Sequence, residues 1–156
     1  MEEILTAEMD EAAPVLIERA TELIRELGQS PVADPTAGLS PEELVTCTIR
    51  TLGLPEIAAL RPHLLPEFAV HAANADENQE TATAGIADAL SLTADGGPAV
   101  VVDWKSDVNP DHKTLDHYRS QVRTHVEMTG AERGLIVLMT TGTVITVLPS
   151  ARMMAA

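Results

Sequence analysis

Two aspartates and a lysine are the residues of this sequence best placed to do chemistry. Asp103 and Lys105 close the run "AVVVDWKSD" (99–107), whose three consecutive valines mark the interior of a buried strand. Alternate strand residues share a face, so Asp103 and Lys105 point the same way, about 7 Å apart along the chain. Trp104 points to the other face with Val100 and Val102. The preceding strand ends in "TADGGP", whose Asp95–Gly96 pair predicts a tight hairpin turn. With those two residues as the loop, or with a four-residue loop from Ala94 to Gly97, Leu92 faces Ala99, Leu90 faces Val101 and Asp88 faces Asp103. Directly opposed β-carbons lie about 5 Å apart, where like charges destabilise a sheet. Ile86, Leu90, Leu92 and Val101 continue that face, so unpaired carboxylates there are costly. A divalent cation removes the conflict, because magnesium takes one or two carboxylates together with waters and a substrate phosphate. Lys105 adds a positive charge for a phosphate under attack. A lone D-x-K reads as a surface ion pair; a second aspartate, placed opposite by an independent turn argument, makes it a site.

The elements that must position these residues follow from periodicity and caps. Residues 12–27 repeat apolar side chains at helical spacing (Leu16, Ala20, Leu23, Leu27) and stop at Gly28. Ser40, Pro41 and Glu43 form a helix start, and a short helical piece spans 55–60. Strands are expected at 67–72, 82–93, 99–105, 135–140 and 143–148, with a polar turn at 76–81. A helix from about Asp111 to Gly130 lies between the third and fourth strands, with a core stripe of Leu115, Tyr118, Val122 and Val126. The pattern predicts an α/β (α+β) domain with helices packed on a central sheet. We expect one domain over 1–156: a helical part (1–64), a sheet and helix that carry the chemistry (65–148), and a tail (149–156).

Composition narrows the classes. Apolar residues make up 45% and aromatics 2%, so the core must be built from Ala, Val, Leu and Ile. The single Cys47 excludes a disulfide framework and an iron–sulfur cluster, and reads as a buried small hydrophobe. No P-loop occurs, so no nucleotide cofactor is expected, and no serine has the partners of a hydrolase triad. His112, His117 and His125 lack the H-E-x-x-H pattern of zinc; His117, Gln121 and His125 read as a solvated or DNA-facing stripe. The uncharged run 134–151 is a β-hairpin rather than a membrane span, and the acidic N-terminus is no signal peptide, so a cytoplasmic protein is expected. A net charge of −14 argues against nucleic-acid binding by the whole surface. The charge is uneven: residues 1–44 hold eleven acids against Arg19 and Arg25, whereas 105–133 hold five bases against five acids.

Three motifs in order, "GIAD" (85–88), "DWKS" (103–106) and "YRSQ" (118–121), resemble those of the PD-(D/E)XK nuclease superfamily. More narrowly they resemble the RecB/AddA-type exonuclease domain at the C-terminus of UvrD-like helicase–nucleases, over roughly 65–148. The resemblance implies a restriction-endonuclease-like central mixed sheet of about five strands flanked by helices. It implies Asp88 and Asp103 as ligands of Mg2+ or Mn2+, helped by the Trp104 backbone carbonyl, with Lys105 positioning or activating water. Tyr118 and Gln121 become helix residues that contact DNA or order the site, and His125 stands where the family has a tyrosine. Glu67 is either a further acidic ligand or an exposed glutamate opening the first strand. The implied function is a metal-dependent deoxyribonuclease of exonuclease type, working on DNA with a helicase domain or subunit in repair or recombination. The sequence departs from the family in lacking a histidine on an early helix and in carrying Trp104 for the commoner tyrosine. The alternative is a catalytically degenerate nuclease fold that binds DNA or docks a protein.

Overall fold

The computed structural model describes residues 1–76 and 79–150, apart from the side chains of 72–76 and 79–83. The tail expected from 149 onward therefore falls largely outside the described residues, as do Glu77 and Asn78 of the expected polar turn. The backbone divides into two compact units, Met1–Arg61 and the chain from Pro62 onward, so the boundary lies a few residues before the expected one.

The first unit is helical: α1 (Glu2–Leu5), α2 (Ala13–Glu26), α3 (Pro41–Leu52) and α4 (Pro55–Leu60). The Ser40 hydroxyl accepts the Glu43 N–H, and Pro41 fills the first helical position where its missing N–H costs nothing. Arg19 pairs with Glu3, Glu22 and Glu26, tying α1 to α2. The buried stripe of α2 is Leu16, Ala20 and Ile24. The expected Leu23 and Leu27 are 42% and 72% exposed, because a strict four-residue step selects Ile24 and leaves them on the outer side. Cys47 is half-buried.

The second unit is a five-stranded mixed sheet in the order β1-β2-β3-β4-β5. Its strands are β1 (Leu64–Asp76), β2 (Gln79–Leu92), β3 (Pro98–Lys105), β4 (Arg133–Leu138) and β5 (Thr143–Val147). β3 and β4 are parallel and every other neighbouring pair is antiparallel. A parallel pair needs a crossover, and α5 (His112–Thr129) supplies it. Asp111 caps α5 by accepting the Thr114 N–H at 2.7 Å, and Gly130 closes it in left-handed backbone at φ 74°.

α5 lies on one face of the sheet. Val122 and Val126 pack with Val70, Ala87, Leu90, Val101, Ile136 and Leu138 in one apolar core. The opposite face carries Ala89, Val100, Val102, Leu135 and Val137, all buried too. β3 is therefore apolar on both sides, which explains the uninterrupted valine run. Among the described residues no helix is long and apolar enough to cross a membrane.

α5 approaches the sheet closely at Gly134. A β-carbon there would stand 2.2 Å from Val122 Cγ1 and 3.0 Å from Val126 Cγ2. Gly134→Ala should therefore destabilise this unit by about 2 kcal/mol through overpacking, seen as a lower urea midpoint with unchanged slope. A wild-type midpoint in this variant would contradict the tight helix–sheet contact.

Candidate functional site

The site begins where β3 leaves the core. Asp103 is 2% exposed although it is ionisable. Lys105 Nζ lies 2.8 Å from Asp103 Oδ2, a close ion pair, and that oxygen has no further partner among the described residues. Burial pushes the Asp103 carboxyl above its usual range, Lys105 pulls the other way, and the charge of Asp88 adds to the rise. The strand end is held firmly: the Lys105 carbonyl accepts the Met139 N–H at 2.8 Å, and the Thr140 hydroxyl donates to the Ser106 carbonyl at 2.7 Å.

Asp88 reaches this point by leaving the ladder. Leu90 faces Val101 and Ala89 faces Val102, the register that the sequence predicts, but the regular pairing of β2 with β3 ends there. The Asp88 carboxylate takes over and accepts the Trp104 N–H at 2.8 Å through Oδ2. The N–H and C=O of one strand residue point to the same edge, so the Trp104 carbonyl also leaves β3 on the side of Asp88. Ala87 and Leu90 both enter the core beneath α5, although they are three positions apart and a regular strand would set them on opposite faces. β2 therefore turns over between them, at Asp88. Its neighbour in β1 is distorted too: Glu67, bracketed by the pairs Pro66–Ala89 and Phe68–Ala87, has a left-handed φ of 49° and is exposed.

The hairpin that sets this register differs from expectation in two ways that cancel. The loop is Ala94–Asp95–Gly96, closed by Thr93 N–H to Gly97 O (2.8 Å) and Gly96 N–H to Thr93 O (3.0 Å), with Gly96 at φ 85°. Leu92 consequently pairs with Pro98 and not with Ala99. A shift between Ser91 and Leu92 then restores the expected register from Ser91 inward.

α5 covers the charged end of β3. Lys105 Nζ sits 4.7 Å from the centre of the Tyr118 ring, over its face. The Tyr118 hydroxyl donates to Asp107 Oδ2 at 2.8 Å, and that bond, with burial, raises the phenol above its usual pKa. Gln121 is half-buried on the same helix. His125 is a correction to the expected solvated stripe: His117 is exposed, but His125 is buried at 8% exposure. Its Nε2 would be 3.1 Å from a β-carbon on Gly85, so the glycine of "GIAD" makes room for the imidazole. Its Nδ1 has no hydrogen-bond partner among the described residues. His125 lies one residue from Val126 and three from Val122, on the sheet side of α5, which is the signal that could have placed it.

The structure thus brings Asp88, Asp103, Trp104 and Lys105 to one strand end, with Tyr118 against Lys105. It leaves Glu67 exposed, and among the described residues no three His, Cys, Asp or Glu side chains gather into a metal cage. The donors present are two carboxylates, one with a buried oxygen held against the Lys105 ammonium, and a strand carbonyl on the same edge. That set suits a hard cation that keeps several of its own waters better than a cage-bound transition metal. Asp107 is the residue that the sequence reading missed. Its only signal is the alternation Asp103, Lys105, Asp107, which continues the strand period past the end of β3.

No family model matches the chain, and no curated protein matches it. Among solved structures, the crystal structure of SSO0001 has a related fold, with a TM-score of 0.50 at 20% sequence identity. The likeness covers 85% of this chain and 62% of that one, so this chain spans less than two thirds of its length. At this identity the likeness shows the fold alone.

Proposed function

We propose that this chain is a metal-dependent deoxyribonuclease domain of the PD-(D/E)XK type that hydrolyses DNA phosphodiesters, working with a helicase domain or subunit. The observation that carries the reading is Asp103: an aspartate 2% exposed at a strand end, with Lys105 2.8 Å away and Asp88 close enough to perturb it. A buried carboxylate in this position is costly unless it has a task, and perturbed carboxylates cluster where chemistry is done. Asp88 and Asp103, with the Trp104 carbonyl, would hold Mg2+ or Mn2+. The bound ion would lower the pKa of a coordinated water and neutralise charge on the phosphodiester. Lys105 supplies a fixed positive charge beside Asp103, where phosphate charge grows during attack. Tyr118 holds the Lys105 ammonium on its ring face and keeps that charge at the strand end.

The second reading is a degenerate nuclease fold that binds DNA or docks a protein. The two-carboxylate donor set and the net charge of −14 favour it. Manganese calorimetry separates the two: the active reading requires binding that is lost in Asp103→Ala, and the degenerate reading requires none.

Two outcomes follow. With manganese and end-labelled single- or double-stranded DNA, the wild type should release labelled product, and Asp103→Ala or Lys105→Ala should slow release by about 100-fold or more while keeping the native circular dichroism. Cleavage that survives in Asp103→Ala would end the proposal.

The second outcome concerns pH. Because the folded-state pKa of Asp103 is raised, the native state binds more protons than the unfolded chain between the two pKa values, so its contribution to stability falls as pH rises. Asp103→Asn should therefore melt above the wild type near about pH 8 and lose that advantage near about pH 3, where the carboxyl is protonated in both states. Manganese should raise the wild-type melting temperature near about pH 8 and leave Asp103→Asn unmoved. A variant that melts below the wild type at the higher pH would contradict the burial penalty.

A further inference from the structure

We propose that Asp107 is a positioning residue for Lys105, acting through Tyr118: its carboxylate fixes the phenol, and the fixed ring holds the ammonium against Asp103. The catalytic consequence rests on the nuclease reading; the geometry does not.

A lysine at the end of a strand carries a flexible four-carbon stem, and one ion pair leaves that stem much of its freedom. Here the ammonium has a second contact, the face of Tyr118 at 4.7 Å. That contact is useful only if the ring stays still. Tyr118 projects from α5, and its hydroxyl is tied to Asp107 at 2.8 Å, a bond to an ionised acceptor and therefore among the stronger kinds.

Asp107 is itself fixed. The loop that carries it leaves β3 at Lys105 and enters α5 at the Asp111 cap. Its start is pinned to the chain after β4 through the Lys105 and Ser106 carbonyls. The anchoring therefore runs from β4 through Asp107 and Tyr118 to Lys105. The phenol also occupies an Asp107 oxygen that would otherwise attract Lys105. Among the described residues, Lys105 makes its ion pair with Asp103 and not with Asp107.

A purely structural role, in which the bond only docks the loop on α5, predicts different behaviour. The composition allows a direct test: Tyr118 is the chain's sole tyrosine, and Lys105 and Lys113 are its lysines. In the full chain, with Lys113→Arg to assign the resonance, the Lys105 ε-protons should be shifted upfield by the Tyr118 ring. Asp107→Ala and Tyr118→Leu should both return them to the position of an exposed lysine. Asp107→Asn keeps an acceptor for the phenol and should retain the shift. Ultraviolet titration should move the phenol of Asp107→Ala down toward its ordinary pKa. With manganese and DNA, Asp107→Ala should lower kcat by about 10- to 100-fold with little change in KM, and Asp107→Asn should restore most of it.

The proposal is overturned if Asp107→Ala frees the phenol and leaves the Lys105 shift in place, or if kcat falls equally in Asp107→Ala and Asp107→Asn while the shift persists in the latter. A wild type that cleaves no DNA but whose Lys105 shift responds to Asp107 as described would end the nuclease reading and leave the positioning geometry standing.

Discussion

The burial of one carboxylate organises this structure. Asp103 sits at the end of a strand whose two faces are both apolar, and its surroundings deal with a charge that is almost wholly buried. Lys105 neutralises it from the same strand, Tyr118 backs the lysine from α5, and Asp107 holds the tyrosine from the connecting loop. The tyrosine is the neutral link in this series, meeting the lysine with its ring face and the Asp107 carboxylate with its hydroxyl. Removing Lys105 alone leaves a buried carboxylate without its partner, a much larger cost than loss of an exposed ion pair. The series also needs the parallel pairing of β3 with β4, because only the crossover brings α5 back over the strand end that carries the charges. Open α/β sheets bind ligands at the carboxyl ends of their parallel strands, and here that end is where the charges collect.

The position of Asp88 shows how register and irregularity combine. A regular ladder through Asp88 and Asp103 would set two carboxylates side by side with no donor for either. The strand turns over instead, and the Asp88 side chain takes the Trp104 N–H that a backbone carbonyl would have taken. One carboxylate thus becomes part of the backbone hydrogen bonding, while the other stays buried and poised. The same irregularity reaches Glu67 across β1, whose left-handed backbone costs free energy that an ordinary strand residue would not.

Much of this was legible in the sequence. The α5 boundaries followed from Asp111 and Gly130, the start of α3 from Ser40 and Pro41, and the pairing of Leu90 with Val101 from the Asp95–Gly96 turn. That last inference succeeded for an incomplete reason, because a longer loop and a compensating irregularity preserved the register. What was hidden depends on three-dimensional neighbours rather than on pattern. His125 looks like a polar residue on a polar helix until Gly85 opens a place for it beneath α5. Leu23 looks like core until Ile24 occupies the inner position. Asp107 looks like a loop aspartate, since nothing in one dimension says that a tyrosine eleven residues later will reach it.

The acidity of the chain bears on how such a site would meet a polyanion. Exposed charges farther apart than about 8 Å are largely screened at physiological salt. The groups near the strand end are partly buried and are screened far less. Without a cation, Asp88 and Asp103 present a phosphate with two carboxylates against one ammonium. With a divalent ion between them, the local charge changes sign and the same surface becomes attractive. On the nuclease reading, then, substrate affinity and chemistry are coupled through one ion. Affinity for DNA should depend on manganese at the same carboxylates that cleavage needs, because the rest of this acidic surface has little with which to hold a phosphate backbone.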